Sequence, residues 1–420
     1  MDMREFISRR EKLFETLPDR TALILFSGNL WRCSADEEYP FVVNKNFFYL
    51  TGIDQPNSAL IILKVEKAVT PYLFIEQPSE LKEKWIGKKL KPEQARRISG
   101  IENILFSEQI ESKIATVLST EDNTYGQFDL LYLDLEPGLY LDRKTSMDAF
   151  KEELLEKYPH LTIENIYHQI IALRMVKSPL EIAAIRRAIS FTNTGLKAML
   201  TQLKPEMYEY QATALFEYVI FDRHYSKPAF ATIAASGKNA TILHYPTPND
   251  KMKDGQLLLL DLGATHDFYR ADISRTYPVN GTFNPLQRAI YQIVLDCNKA
   301  VIDLIKPGLT LFDLQKFTID FLTERLLDEG LLQNKDEISK YYYHSVSHHL
   351  GLDTHDPADR QKPLAPGNVI TVEPGLYFHE YGIGVRIEDD VLVTEKGSEN
   401  LSKAIIKEVK DIEKALGQQR

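Results

Sequence analysis

The sequence predicts a small mixed α/β domain followed by a larger α+β domain of long helices and antiparallel hairpins. Three observations carry this reading. The chain has 420 residues, more than one hydrophobic core normally holds. Short apolar strands alternate with helical stretches in the first third. Beyond that point, well-capped helices alternate with strand pairs that each carry an acid among apolar neighbours.

In the first third, residues 21–26, 58–63, 71–75 and 130–133 are runs of aliphatic and aromatic side chains, read as short buried strands. Helical spacing covers residues 92–99 and 147–157. These elements assign residues 1–165 to the first domain. The chain changes character between Tyr158-Pro159-His160 and Met175, so 166–177 reads as a linker and 178–420 as the second domain.

The second domain opens on a strong helix start. Ser178 is the N-cap, Pro179 takes the first helical position, and Glu181 completes a capping box. Ile182, Ile185, Ile189 and Leu196 follow at helical spacing. Further helices are predicted over 208–221, 285–305 and 311–327. Asn284-Pro285 opens the second of these, Pro307-Gly308 ends it, and Gly330 stops the last.

Strand pairs lie between and after these helices. Residues 256–263 read as a buried strand ending in Leu260-Asp261-Leu262-Gly263, and 268–277 as its partner. A turn at Ala264-Thr265-His266-Asp267, centred between His266 and Asp267, would set Asp261 opposite Asp272. Opposed residues have Cβ atoms roughly 5 Å apart, close enough for two carboxylates to share a cation. Residues 369–373 and 384–388 repeat the arrangement with Glu373 and Glu388, around a loop that contains Gly375 and Gly382.

A single Asp after an apolar strand is more often a turn or cap residue than a ligand. Two such pairs are a different matter, because four clustered carboxylates repel one another unless protons or cations intervene. The segment from His344 to Asp356 adds four of the chain's ten histidines within thirteen residues. Two divalent ions balance four carboxylates, with His348 as a neutral nitrogen ligand. The count favours a dinuclear site over a mononuclear one.

Composition sets the limits. A hydrophobic fraction of 44% and a charged fraction of 26% are those of an ordinary soluble globular protein. A formal charge of -10 argues against nucleic acid as the main partner. Cys33 and Cys297 are the two cysteines, far apart in sequence, which fits a reducing compartment without disulfides. No run has the apolar length of a signal peptide core or a membrane span, so a cytoplasmic location is expected and no membrane partner.

Several segments resemble the pita-bread metallopeptidases that cleave next to proline. They are Leu260-Asp261-Leu262-Gly263 with the run from Asp272 to Gly281, Ser347-His348-His349-Leu350-Gly351-Leu352-Asp353, Thr371-Val372-Glu373-Pro374-Gly375 and Arg386-Ile387-Glu388-Asp389-Asp390. The nearest likeness is to the aminopeptidase P (Xaa-Pro aminopeptidase) family, with prolidase as close kin. Upstream, the stretch from Ser34 to Phe41, that from Asn46 to Gly52, and Glu83-Lys84-Trp85-Ile86-Gly87 are similar to that family's N-terminal domain. The resemblance therefore covers nearly the whole chain. Thr354 departs from it, standing where a β-branched aliphatic is usual, and it keeps the same shape.

The resemblance implies a set of roles. Asp261 binds one metal, Asp272 and Glu388 bridge both, and His348 and Glu373 complete the second. His244 and His355 match pocket histidines that hydrogen-bond the scissile carbonyl or the tetrahedral intermediate, and His344 matches another histidine of the substrate pocket. Glu373 is the candidate to carry a proton to the leaving nitrogen. Arg386 lies two residues before Glu388, on the same strand face, and is placed to orient an acidic ligand. Trp85 matches an aromatic by which one subunit's N-terminal domain caps a neighbour's site, which implies a homo-oligomer, dimer or tetramer.

The implied reaction removes the first residue of an Xaa-Pro peptide, using a hydroxide held between two metals. Oxygen-rich ligation suits Mn²⁺, with Co²⁺ or Zn²⁺ possible. Plainer readings stay open at this point: His244 as a strand-end core residue, Arg386 as a surface ion pair, Trp85 as packing. Two other functions also stay open. One is a prolidase restricted to Xaa-Pro dipeptides; the other is a non-catalytic peptide-binding member of the same fold.

Overall fold

The structure, a computed structural model, describes residues 1–119, 126–138 and 144–417. The chain divides into two compact units, Met1–Arg174 and Met175–Arg420. Among the described residues no helix is long and apolar enough to cross a membrane. Cys33 is exposed, Cys297 is buried, and both are free thiols.

The first unit is built on one six-stranded sheet. Its strands are β1 (Thr21–Phe26), β2 (Ala59–Val65), β3 (Ala68–Ile75), β4 (Asn103–Phe106), β5 (Leu130–Leu133) and β6 (Thr162–Asn165), in the order β4-β3-β2-β1-β5-β6. Strands β1, β2 and β3 run antiparallel, and β4, β5 and β6 add in parallel. Strands β1 and β5 match the apolar runs residue for residue. Strands β2 and β3 run longer than expected because Glu66, at φ 56, and Lys67 close a tight turn between Val65 and Ala68.

Two features of this unit differ from the sequence reading. The helix Met3–Glu15, which the sequence does not announce, starts at an N-cap where Asp2 accepts from the Arg4 N–H and buries Phe6, Leu13 and Phe14. The segment read as a linker is mostly the helix Tyr167–Met175, with Ile170 and Ile171 buried. The division between the units falls in its last turn.

Among its described residues the second unit carries long helices and four small sheets, one of them the short pair Thr265–His266 with Tyr269–Arg270. The helices Pro179–Leu200, Glu209–His224, Pro285–Leu304 and Leu311–Asp328 lie within two or three residues of expectation. Ser178 accepts from the Glu181 N–H while the Glu181 carboxylate accepts from the Ser178 N–H, so the capping box forms as read. The strands are β7 (Ile233–Ser236), β8 (Leu257–Leu262), β9 (Ile273–Pro278), β10 (Val369–Val372), β11 (Gly375–Phe378), β12 (Ile383–Arg386), β13 (Asp389–Val393) and β14 (Ser398–Asn400). They form an antiparallel sheet β9-β8-β7, a second sheet β10-β13-β14, and the pair β11-β12.

The first acid hairpin corrects the predicted register. Asp261 pairs with Ser274, not with Asp272. The same register continues through Thr265–Arg270 and His266–Tyr269 to a two-residue turn, Asp267-Phe268, one residue beyond the expected centre. Both turn residues have positive φ, 48° and 71°, the conformation that matches the twist of a tight hairpin. Asp272 is thereby diagonal to Asp261 and across from Gly263. A Cβ on Gly263 would stand 1.8 Å from the Ala271 carbonyl oxygen, so only glycine fits beside this bend.

The second acid pair is opposed as the sequence reading requires. The register that pairs Val372 with Asp389 and Gly375 with Arg386 sets Glu373 across from Glu388. Both glutamates sit in the gap between the two ladders. Buried Asn298 donates to the carbonyls of Val372 and Ile387, at 3.0 and 3.2 Å, and so pins the backbone just before each glutamate.

Candidate metal centre

Strand ends from three sheets and the 344–356 segment meet at one cavity of about 270 Å³. Asp261, Asp272, His348, Glu373 and Glu388 all line it, together with His244, His344, His355 and Arg386. Asp272, His348 and Glu388 offer ligand atoms that all lie within 4.8 Å of one another. His348 Nε2 is 3.4 Å from Asp272 Oδ2 and 3.5 Å from Glu373 Oε1.

The electrostatics of this cluster fit divalent cations. Burial, then the charges of Asp261, Asp390 and Glu373, raise the Asp272 carboxyl well above its ordinary range. Burial, then Asp272, Glu373 and Asp261, do the same to Glu388. Glu373 is raised too, first by burial, with His348 and Arg386 opposing. His348 Nδ1 lies 3.0 Å from the His349 carbonyl, so Nδ1 carries a hydrogen and Nε2 faces the carboxylates. Asp261 Oδ1 is buried without a hydrogen-bond partner. Lone pairs converging on a shared space, with an orphaned carboxylate oxygen among them, are what a hard cation satisfies.

Arg386 organises the cluster. It is 3% exposed, which excludes a surface ion pair. Its Nη2 is 2.6 Å from Asp261 Oδ2, its Nε donates to Ser274 Oγ at 2.7 Å, and its Nη1 donates to the Tyr377 hydroxyl at 3.1 Å. Ser274 Oγ in turn donates to Glu388 Oε2 at 2.7 Å. The arginine thus grips Asp261 directly and reaches Glu388, its neighbour in sequence, only through a serine.

The histidines divide into two settings. His344 Nδ1 donates to the Ser345 carbonyl and Nε2 accepts from the Tyr377 hydroxyl at 2.9 Å. Burial, then the charge of Arg386, lowers it to about 4, so it is neutral in ordinary buffers. His355 is also held below its ordinary value, first by burial, then by His348. Its ring stands edge-on to His348, with centroids 4.4 Å apart. His244 is an exposed loop residue after a short 3₁₀ segment, Gly237–Thr241, rather than a strand-end core residue.

Trp85 is 84% exposed on the short helix Glu80–Ile86 of the first unit and is not among the cavity's lining residues. Sequence reasoning missed Ser274, Tyr377, Asn298 and Arg360, the last an exposed cation on the cavity wall. Tyr377 escaped notice because 374–383 reads as a turn loop, whereas it contains β11. Ser274 lay within a motif already singled out, and its alternation with Asp272 is a signal that was available.

Comparison with known proteins agrees with this geometry. Residues 183–395 match the model of metallopeptidase family M24, and residues 6–125 match that of the aminopeptidase P N-terminal domain. The chain is 33% identical to the Xaa-Pro aminopeptidase of Escherichia coli strain K12, over 97% of this chain and 96% of that one. A candidate aminopeptidase P from Bacillus anthracis superposes with a TM-score of 0.97 at 44% identity, over 100% of this chain and 99% of that one. Aminopeptidase P from E. coli, solved with the inhibitor Pro-Leu, gives a TM-score of 0.91 at 31% identity, with coverage of 100% and 99%. With an aminopeptidase P N-terminal domain followed by an M24 pita-bread domain, the chain belongs to the aminopeptidase P family of metallopeptidases.

Proposed function

We propose that this protein is a dinuclear metal-dependent aminopeptidase that hydrolyses the bond between an N-terminal residue and a following proline. The observation that carries the proposal is the convergence of four carboxylates and one histidine Nε2 on a single cavity. In this reading Asp261, Asp272, His348, Glu373 and Glu388 hold two divalent ions, all within the 178–420 domain. The oxygen-rich donor set favours Mn²⁺, with Co²⁺ or Zn²⁺ able to substitute. The ions would supply an activated water and polarise the scissile carbonyl.

The chain's own residues do the remaining work. His355 and His244 present imidazoles at the cavity wall, and a neutral imidazole still donates one N–H to a developing oxyanion. Glu373, at the cavity wall, carries a proton to the leaving nitrogen. His344, fixed by Tyr377 and the Ser345 carbonyl, walls the substrate side. Arg386 keeps Asp261 and Ser274 in place. Proline at the second position lacks an N–H and has a fixed φ, so peptidases that grip that N–H fit it poorly and a dedicated pocket is needed.

Three further assignments belong to the same reading. The exposed Trp85 serves the substrate site of a neighbouring subunit, in a homo-oligomer of two or four chains. The protein works in the cytoplasm, where its free cysteines stay reduced. Peptides longer than a dipeptide are accepted.

The test is hydrolysis of an Xaa-Pro-Yaa tripeptide before and after chelation, with metal analysis of the purified protein. Two ions per chain, activity lost on chelation and regained with Mn²⁺, is the expected result. Full activity after verified metal removal would refute the proposal. Turnover of an Xaa-Pro dipeptide far above that of the tripeptide would favour the prolidase reading instead.

A further inference from the structure

A second charged cluster lies behind the metal centre. Lys177 Nζ is 3.0 Å from Asp356 Oδ2, and both side chains are 1% exposed. A fully buried ion pair gains little stability over an apolar pair of the same volume, because both charges lose their hydration. Its presence therefore calls for a geometric reason, and the contacts around it supply one.

Asp356 directly follows His355 and closes a tight loop back to His348. Its Oδ1 accepts from the Asp353 N–H at 3.2 Å, and its own N–H donates to the His349 carbonyl at 2.9 Å. That carbonyl also faces His348 Nδ1. The other half of the pair is fixed in turn: the Lys177 N–H donates to the Gly367 carbonyl at 2.8 Å. The loop wraps the pair so closely that a Cβ on Gly351 would stand 2.6 Å from Asp356 Oδ2 and 3.0 Å from Lys177 Cε.

We propose that Lys177 and Asp356 are positioning residues which hold the 348–356 loop so that the His349 carbonyl fixes the His348 tautomer and His355 stands over His348. The pair anchors one end of the loop, and Thr371 anchors the other: its hydroxyl accepts from the His348 N–H at 3.1 Å and its N–H donates to the His348 carbonyl. Between these anchors the His349 carbonyl takes two donors, the Asp356 N–H and His348 Nδ1. Loss of the charge pair frees the Asp356 end, lets that carbonyl turn, and allows His348 to place hydrogen on Nε2, the nitrogen that faces the carboxylates.

The inference rests on the proposed function, since it concerns a ligand of the proposed ions. It is tested on chelator-stripped full-length protein by titration with Mn²⁺ alone, with circular dichroism to establish that each variant is folded. The variants are D356N, which keeps the side-chain shape, and K177M/D356N, which removes both charges at similar volume. The expected result is a folded protein with about 10- to 100-fold weaker Mn²⁺ binding. A purely structural role would lower the melting temperature and leave affinity alone, so folded variants that bind Mn²⁺ within twofold of the unaltered protein would overturn the inference.

Histidine-labelled NMR of the unaltered, stripped protein supplies a measurement that needs no variant. His348 must carry a hydrogen on Nδ1 bonded to the His349 carbonyl, and a ring with a bare Nδ1 would overturn the inference even if neither variant folds. If the unaltered protein itself fails to bind Mn²⁺, the proposed function falls. If it binds and the variants bind equally well, only the positioning role falls.

Discussion

Arg386 is the most consequential single target in this structure. It is a permanent cation, 3% exposed, with a 2.6 Å contact to Asp261 and hydrogen bonds to Ser274 and Tyr377. Replacing it with methionine preserves volume and length but leaves Asp261, its side chain 14% exposed, beside three other carboxylates without its ion-pair partner. Removing one partner of a buried pair costs about 3–5 kcal/mol. For a unit of this size, each kcal/mol moves the melting temperature by about 2–4 °C, so R386M should lower it by roughly 6–20 °C in chelator-stripped protein. With Mn²⁺ added the gap should narrow, because bound cations give Asp261 another partner. R386K should fall between, since lysine restores a charge but not the three-way fork. The assay is calorimetry of the three proteins with and without Mn²⁺. A stripped R386M that melts within about 2 °C of the unaltered protein would refute the claim that Arg386 offsets the repulsion among these carboxylates.

Other outcomes follow from the same geometry. Asp272 and Glu388 are held well above their ordinary values, so metal binding must displace protons and Mn²⁺ affinity should keep rising with pH above the ordinary carboxylate range; a flat affinity profile would contradict this. Asp134, 6% exposed in the first unit, is pushed up to about 6, chiefly by burial, against an ordinary 3.8. A carboxyl raised on folding contributes stability that is fully present below its unfolded value and is lost as pH rises through its folded value. Relative to D134N, the unaltered protein should therefore lose about 3 kcal/mol between pH 4 and 8, and parallel denaturation curves across that range would exclude it. G263A should disrupt the bend that presents Asp272, because its Cβ would stand 1.8 Å from the Ala271 carbonyl oxygen. It should lose Mn²⁺ binding or fail to fold, and normal binding by calorimetric titration would show that the bend can relax.

Local signals were legible and tertiary ones were not. Strands β1 and β5 are apolar runs bounded by polar residues, β1 mostly buried and β5 on alternate residues, and the Ser178 cap is written in Ser178, Pro179 and Glu181. The helix Met3–Glu15 fails this kind of reading because its buried face includes Arg9 and Arg10. Those arginines look solvated in sequence, yet they donate to the carbonyls of Tyr49, Leu50 and Ser99, far along the chain. The Asp261 register slipped for a related reason. Its turn is Asp267-Phe268, with neither residue a glycine, so nothing local marks the left-handed pair. Glu373 and Glu388 are opposed because the turn after Phe378 centres on Glu380-Tyr381, two residues past the midpoint of Gly375 and Gly382. Asn298, more than seventy residues from either carbonyl it pins, was beyond reach of any local pattern.

Arg386 also alters the charge balance of the cavity. Four carboxylates against two divalent ions balance to zero, and that count favoured a dinuclear site when only the acids and one histidine were considered. The structure brings a fifth charged group into direct contact with Asp261. His344 and His355 do not add to the positive side, since both are held below their ordinary values by burial. Asp261, Asp272, Glu373, Glu388 and Arg386 together are three negative, and one divalent ion leaves that set negative by one. Two leave it positive by one, in a buried space where an unbalanced charge is strongly felt. A single positive charge in excess suits a hydrolytic pocket better than neutrality does, because the scissile carbonyl gains negative charge as the reaction proceeds. On this count two ions suit the proposed hydrolysis better than one.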